Sequence, residues 1–385
     1  MSFFSKKSPI STELIFDIES DSVCATIVLY EANKAPRIVY NNSIAVARKA
    51  NTASVYLTRN MLKTLEDVAS TTSAAMLALV EKKLIRQAHV DRIHIVLSSP
   101  WIISKLSCVK ETFKKEVSIR QSTVAALLEK EKSASAKLFA VGDAAAIDTK
   151  LFEIKINGYP VAEYEGKHAL ALEGTMVISF ASRKMLNEIK SRINRFFRAH
   201  DETFHSALIL RYVALRSVMS HHTDYVWLQI HGELTDVLVV REGACAISGS
   251  LPFGLDTLVR KFASATNESQ ATAASLLEFL DNSSNTVLML EKTRSTLGKI
   301  MPEWTRGIVS LMSGEGESMQ ASIAYVSAEH FSSAFEQAVK QFSPTTSVMH
   351  ADAVIMAPFV EYAPSVSADL SASLYAAALP LSRKL

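Results

Sequence analysis

The sequence has 385 residues, of which 48% are hydrophobic and 21% charged, and its mean hydropathy is +0.15. This length corresponds to roughly two or three domains and is enough to bury large cores. The 41 Lys and Arg residues are balanced by 39 Asp and Glu residues, which leaves a formal charge of +2. That balance argues against a nucleic-acid partner, because binding a polyanion needs a concentrated positive field.

The sequence indicates a cytoplasmic protein. No apolar run reaches the roughly 18–20 residues that a transmembrane helix needs, and the first residues do not resemble a secretory signal. The three cysteines, Cys24, Cys108 and Cys245, are odd in number and widely spaced, which does not suggest a disulfide framework. Cys108 and Cys245 lie in apolar segments, where a buried thiol is the usual outcome.

Glycine is scarce: there are 12 in the chain, and the first is Gly142. Phosphate-binding loops usually need glycine, because the backbone must approach the ligand closely or adopt a positive φ. A P-loop or a dinucleotide-binding fingerprint is therefore excluded from the first third of the chain, and neither pattern occurs later.

The first elements in chain order form a predicted hairpin. Residues 1–11 are expected to be a polar tail, and residues 13–30 form two apolar strands around the polar turn at 19–22. A third strand follows at 37–47, then a long helix at 59–87 and a buried strand at 91–98.

The middle of the chain has a different pattern. Short strands at 104–112, 152–156 and 169–180 surround a helix near 122–132. Residues 182–199 form an amphipathic helix with one basic face. Such a face is typical of a helix that lies on a membrane surface, but it also suits a helix packed on its own domain with its charges in solvent.

Residues 225–251 repeat the pattern of the first hairpin. With an offset of 212 residues, Gln229 aligns with Asp17 and Gly232 with Ser20. Two such hairpins indicate a duplicated architecture with a cleft between two halves. Helices are then predicted at 255–281 and 290–313, followed by a strand at 321–327 and a helix at 328–342. Irregular chain follows to residue 364. The tail after it is rich in small residues and predicts a helix that Pro380 is expected to break.

These parts, in this order, resemble the actin-like superfamily, and within it the bacterial division protein FtsA and its relative PilM. The first hairpin turn, Asp17-Ile18-Glu19-Ser20-Asp21-Ser22-Val23-Cys24, is similar to the family pattern D-I-G-S-x-S-V-K. The second, Gln229-Ile230-His231-Gly232-Glu233-Leu234-Thr235-Asp236, is similar to D-I-G-G-x-T-T-D. The stretch 325–329 aligns with an adenosine-contacting loop, and 158–161 with a turn of the subdomain that FtsA-like proteins insert between the hairpins.

The resemblance implies an α/β protein with a two-lobed, actin-like (ribonuclease H-like) fold and a small inserted α+β subdomain. Its boundaries would place the first lobe at 12–100 and 325–385, the insertion at 101–204 and the second lobe at 205–324.

In the family, ATP and magnesium bind between the lobes, and the two turns contact the phosphates. The residues that match this role, as a vestigial site, are Asp17, Ser20, Ser22, Gly232, Thr235 and Asp236. Each also has an ordinary structural alternative, such as satisfying backbone groups at a strand end.

Several other positions depart from the family pattern. Glu19 and His231 replace glycines, Cys24 replaces a basic residue, Gln229 replaces an acid, and the stretch 325–329 contains no glycine. The carboxylate of Glu19 beside a phosphate would cost about 4 kcal/mol per charge pair at 4 Å. We therefore expect weak or absent ATP binding, no metal site, no catalytic residues and no enzymatic activity.

The resemblance implies a degenerate actin-like scaffold, FtsA-like in cell division, at the inner face of the cell membrane and with little or no ATP hydrolysis. Its partners would be proteins of a division or a pilus apparatus, with possible self-association into filaments. FtsA-like proteins attach to the membrane through a C-terminal amphipathic helix, and the tail here is a poor match, so membrane contact would be indirect or weak. A PilM-like pilus adaptor and an active actin-like ATPase are the alternatives.

Overall fold

The computed structural model describes residues 10–47, 54–138, 143–198, 201–219, 222–282, 288–312, 322–328 and 330–382. The β-strands are β1 Ser11–Ile18, β2 Ser22–Tyr30, β3 Arg37–Ala45, β4 Arg92–Leu97, β5 Ile103–Ser118, β6 Ala144–Ile156, β7 Tyr159–Pro160, β8 His168–Ser182, β9 Asp201–Ser206, β10 Tyr225–Ile230, β11 Thr235–Arg241, β12 Ala244–Leu251, β13 Ile323–Ala328, β14 Ser347–His350 and β15 Glu361–Tyr362. The α-helices are α1 Ser54–Glu81, α2 Gln121–Leu138, α3 Arg183–Ile193, α4 Ala207–Val218, α5 Leu255–Thr266, α6 Gln270–Asn282, α7 Leu288–Met312, α8 Ser332–Phe342 and α9 Leu370–Ser382.

The chain divides into two compact units, each made of separated stretches. The first unit comprises Met1–Trp101, Arg183–Val218 and Asp352–Leu385, and the second comprises Ile102–Ser182 and Met219–Ala351.

These boundaries differ from the predicted ones. Strand β13 is hydrogen-bonded to β10, so residues 325–351 belong to the second unit and not to the first lobe. Strand β9 pairs with β4, so residues 183–218 belong to the first unit, and the predicted insertion at 101–204 is divided between the two.

The first unit contains a sheet with strand order β15-β3-β2-β1-β4-β9. Strands β1, β2 and β3 are antiparallel, whereas β4 and β9 run parallel to β1. The central strands are buried on both faces, which explains why their sequences are continuous apolar runs. Helix α4 packs against α9 in the same unit.

The second unit contains two sheets. One has the order β12-β11-β10-β13-β14, and the other, formed by the inserted segment, has the order β5-β8-β6-β7. Strand β12 contacts β5 and β6. The predicted helix at 255–281 is in fact two helices, because Asn267 takes the left-handed conformation that ends α5. The side chain of Ser269 then accepts a hydrogen bond from the amide of Thr272 at the start of α6.

The duplication predicted from the two hairpins is confirmed by their backbone geometry. The order β3-β2-β1-β4 in the first sheet corresponds to β12-β11-β10-β13 in the second. The amide of Glu19 donates to the carbonyl of Ser22 at 3.0 Å, and at the same offset the amide of His231 donates to the carbonyl of Leu234 at 2.8 Å.

A register irregularity also recurs at the same place. It lies between Ile27 and Val28 where β2 pairs with β3, and between Val239 and Val240 where β11 pairs with β12. Both positions are related by the offset of 212 residues that aligns the hairpins. A bulge fixes the local twist of a sheet, so both halves have the same backbone design.

Candidate functional site

The first hairpin turn is fixed around Glu19. The amide of Glu19 donates a hydrogen bond to the carbonyl of Ser22, and the carbonyl of Glu19 accepts one from Nε1 of Trp101 at 2.9 Å. The carbonyl of Asp21 accepts from the amide of Val46 at 2.7 Å, which ties the turn to the end of β3. The turn is therefore held by its own unit on several sides.

The carboxylate of Glu19 forms an ion pair with Arg211 of helix α4. Nη2 of Arg211 lies 2.7 Å from Oε1 of Glu19, and the two side chains are only 3% and 12% exposed. The guanidinium also lies 5.6 Å from the ring centre of Tyr375 on α9. The sequence alone predicts that the carboxylate of Glu19 is an uncompensated charge that would repel a phosphate. In the structure Arg211 compensates that charge.

Three of the predicted site residues lie together in this turn. Asp17 is buried near the end of β1 and pairs with Cys24, Ser20 is buried in the turn, and Ser22 begins β2. Burial raises the pKa of the Cys24 thiol well above its usual range, and the charges of Asp369 and then Asp17 raise it further. Asp17 thus lies in a crowded and partly anionic environment within the first unit.

In the second turn, Thr235 has an internal structural role. Its hydroxyl donates to the backbone carbonyl of Phe253 at 2.6 Å and accepts a hydrogen bond from Nε1 of Trp304 at 3.0 Å. Thr235 is fully buried and Trp304 is nearly so. The structural alternative for Thr235, satisfying a backbone group beside a strand end, is therefore the one that these bonds support.

Both carboxylate oxygens of Asp236 have partners inside the second unit. The hydroxyl of Ser250 donates to Oδ1 at 2.6 Å, and Nε2 of His231 lies 3.2 Å from Oδ2. The amide oxygen of Gln229, which stands where the family has an acid, lies 3.4 Å from Nε1 of Trp227. The second turn therefore has one carboxylate fewer than the family pattern, because an amide stands at Gln229, and the carboxylate of Asp236 is hydrogen-bonded within its own unit.

The start of helix α5 packs directly against the second turn. The amide of Leu255 donates to the carbonyl of His231 at 2.9 Å, and the amide of Asp256 donates to the carbonyl of Gly232 at 2.7 Å. A Cβ atom at Gly254 would lie 2.2 Å from the carbonyl oxygen of His231 and 2.5 Å from that of Gly232. The backbone conformation of Gly254 is an ordinary extended one, so glycine is needed here for close approach and not for a positive φ.

Of the stretch predicted to align with the adenosine loop, residues 325–328 belong to β13, and Glu329 lies outside the described residues. Sequence reasoning missed Arg211 altogether. Its signal was a single arginine within the apolar run ALILRYVAL, because a cation in a buried helix face needs an anionic partner.

The basic helix predicted at 182–199 is α3, which ends at Ile193. Arg192 of α3 and Arg195 of the turn that follows it contact α1. Nη1 of Arg192 and Nη1 of Arg195 each lie 2.7 Å from the carboxylate of Glu66. Although partial desolvation acts in the opposite direction, these two arginines lower the pKa of Glu66. Their charges are therefore paired within the first unit, which favours the packed-helix alternative over a membrane-surface role.

The C-terminal segment is a core element of the first unit. Helix α9 continues through Pro380 to Ser382, so the expectation that this proline breaks the helix was wrong. Most of its residues from Ala372 to Leu379 are buried. Among the described residues, no helix combines the length and the apolar character needed to span a bilayer.

Cys108, expected to be buried, is exposed, whereas Cys245 is buried as expected.

Comparison by sequence finds nothing: no protein-family model matches the chain, and no curated protein matches it. Comparison by structure is informative. A PilM–PilN type IV pilus biogenesis complex matches with a TM-score of 0.62 at 11% identity, over 96% of this chain and 98% of that one.

Two weaker matches have TM-scores below 0.5. One is a Bacteroides thetaiotaomicron protein with an actin-like ATPase fold and unknown function (TM-score 0.41, 9% identity, 91% and 94% of the two chains). The other is the ethanolamine utilization protein EutJ from Carboxydothermus hydrogenoformans (0.44, 8%, 95% and 90%). The strand order, the duplicated hairpins and the whole-length match to the PilM–PilN structure together show that this chain has the actin-like ATPase fold.

Proposed function

We propose that this protein is an actin-like adaptor of an envelope assembly apparatus, of the PilM kind, and that it works through protein contacts without hydrolysing ATP. The observation that carries the proposal is the match to the PilM–PilN structure over nearly the full length of both chains. The partner would be a membrane-associated protein of a type IV pilus system, and the adaptor would bind it from the cytoplasmic side.

A division role of the FtsA kind has less support. FtsA-like proteins attach to the membrane through an amphipathic helix, whereas α9 buries its apolar residues in the first unit. A helix whose apolar side chains already pack in a core would have to leave it to enter a bilayer, which would cost the stability that this burial provides.

The proposal includes that the protein does not hydrolyse ATP. The residues of the first turn and those of the second turn each support this part separately. In the first, Glu19 stands where a phosphate-binding backbone needs glycine, and its carboxylate is held by Arg211. In the second, Gln229 replaces an acid, and Asp236 bonds to Ser250 and His231. Catalysis of phosphoryl transfer needs a positioned metal and a residue that activates the attacking group.

Calorimetric titration of the purified protein with ATP and magnesium tests this part. We expect no binding tighter than a dissociation constant of about 1 mM. A micromolar affinity would contradict the proposal. The double substitution Gln229→Asp with His231→Gly restores the acid and removes the ring beside Asp236, and His231→Gly alone is the matched control. Binding that appears only in the double variant would identify Gln229 as the residue whose acid was lost.

Cross-linking in the native cells, followed by isolation of the tagged protein from the membrane fraction, tests the partner. We expect a pilus assembly protein of the membrane to be enriched over a control in which an unrelated cytoplasmic protein carries the tag. Enrichment of the tubulin-like division protein would instead support the division role. Equal recovery of pilus components with both tagged proteins would refute the adaptor proposal.

A further inference from the structure

We propose that Glu19 is an internal anion that occupies an anion-binding position created by Arg211, so that the first turn is filled by the chain's own carboxylate. The inference rests on the proposed function, in which this turn holds no nucleotide. The external ligand class that the position would accept, once Glu19 is removed, is a small oxyanion such as inorganic phosphate.

The environment of Arg211 demands an anion. Its neighbours on α4 are buried apolar residues, and the guanidinium-bearing side chain itself is 3% exposed. Removing a cation from water costs several kcal/mol unless an anion with good geometry compensates it. The carboxylate of Glu19 at 2.7 Å has the short distance of a charge-assisted hydrogen bond.

The aromatic neighbour of Arg211 does not supply this charge. Burial raises the pKa of Tyr375 well above its ordinary value, and the positive charge of Arg211 lowers it only in part. The phenol is therefore neutral at pH 7, and its ring offers the guanidinium a cation–π contact at 5.6 Å. Carboxylate and phosphate both present paired oxygens to a guanidinium, so one can replace the other in such a position.

The equivalent position of the second turn also carries an ionisable side chain with a partner in its own unit. His231 lies 212 residues after Glu19, and its ring contacts Asp236 of its own unit at 3.2 Å. In both halves, an ionisable side chain at the first position of the turn pairs with an opposite or complementary group of the same unit. The side chain at this position is thus bonded within its own unit in both turns, and Glu19 is the one of the two that supplies an anion.

The substitution Glu19→Gly, with inorganic phosphate as the probe, tests the inference. We expect the variant to melt at a lower temperature than the wild type in chloride, and to regain about 2–4 °C when phosphate replaces chloride at constant ionic strength. The wild-type protein should show no such gain. The double variant Glu19→Gly with Arg211→Gln should not respond to phosphate, because the cation that binds it is gone.

Glu31→Gly is the matched control, since Glu31 pairs with Lys34 at 2.9 Å at an exposed position. A phosphate response of Glu19→Gly no larger than that of Glu31→Gly or of the wild type would overturn the inference. If Glu19→Gly does not fold, Glu19→Ala also removes the carboxylate, leaves room for phosphate beside Arg211 and gives the same comparison. The outcome is separate from the ATP titration and the partner capture, which use the unaltered first turn.

Discussion

Replacing Gly254 by alanine is expected to destabilise the second unit by about 3 kcal/mol, one of the largest effects of any single substitution in this protein. The added Cβ would lie within 2.6 Å of three backbone atoms of the second turn, the carbonyl oxygens of His231 and Gly232 and the amide nitrogen of Leu234. Backbone atoms cannot move aside as a flexible side chain does. The turn would have to separate from α5, and the two hydrogen bonds that join them would be lost.

Urea denaturation followed by tryptophan fluorescence measures this effect, because Trp227 and Trp304 are buried in the second unit. Gly298→Ala is the control: no atom lies within 4 Å of its would-be Cβ, and it is within α7. That substitution should stabilise the protein by about 0.5–1 kcal/mol, since alanine is the better helix former. Equal midpoints for Gly254→Ala and the wild type would show that the turn is not packed against α5 as described.

The second large effect is expected for Thr235→Val, at about 2–4 kcal/mol of lost stability. Valine has nearly the same shape but neither donates to the carbonyl of Phe253 nor accepts from Nε1 of Trp304. Both of those groups would remain buried without this partner, and their desolvation would no longer be offset.

Thr235→Ser is the matched control, because it keeps the hydroxyl and removes only a methyl group, at a cost of about 1 kcal/mol. The same denaturation experiment applies, and the emission maximum of the native state reports on the surroundings of Trp304. If Thr235→Val proves no more destabilising than Thr235→Ser, the hydroxyl does not have the structural role assigned to it.

The sequence allowed good predictions where the determining interactions are local. The two hairpins could be located because apolar runs and polar turns alternate within about 20 residues, and a single offset of 212 residues aligns them. Their internal correspondence followed from that spacing. The bulges could not be predicted, since the residues that flank them are ordinary strand formers, yet they recur at equivalent positions and give the strongest sign of duplication.

The errors concern long-range pairing. The partner β4 of β9 and the partner β10 of β13 lie more than 90 residues away along the chain, and the sequence pattern of a short strand does not reveal such a neighbour. The same is true of the pair Glu19–Arg211, whose members are 192 residues apart. Glu19 was correctly identified as unusual for its position, but its cation could not be found without the fold. Helix α9 was misjudged because a small, nearly uniform apolar segment shows no face that distinguishes a core helix from a weak surface one.

The composition of the first unit from three separated stretches has a consequence for biosynthesis. Its core includes α9, at residues 370–382, whereas the second unit is complete once residue 351 has been made. On the ribosome, the second unit can therefore reach its folded state while the sheet of the first unit still lacks the helix that covers it. Until that helix emerges, the apolar strands of the first hairpin are exposed to the cell, and it is during this interval that a chaperone would be needed.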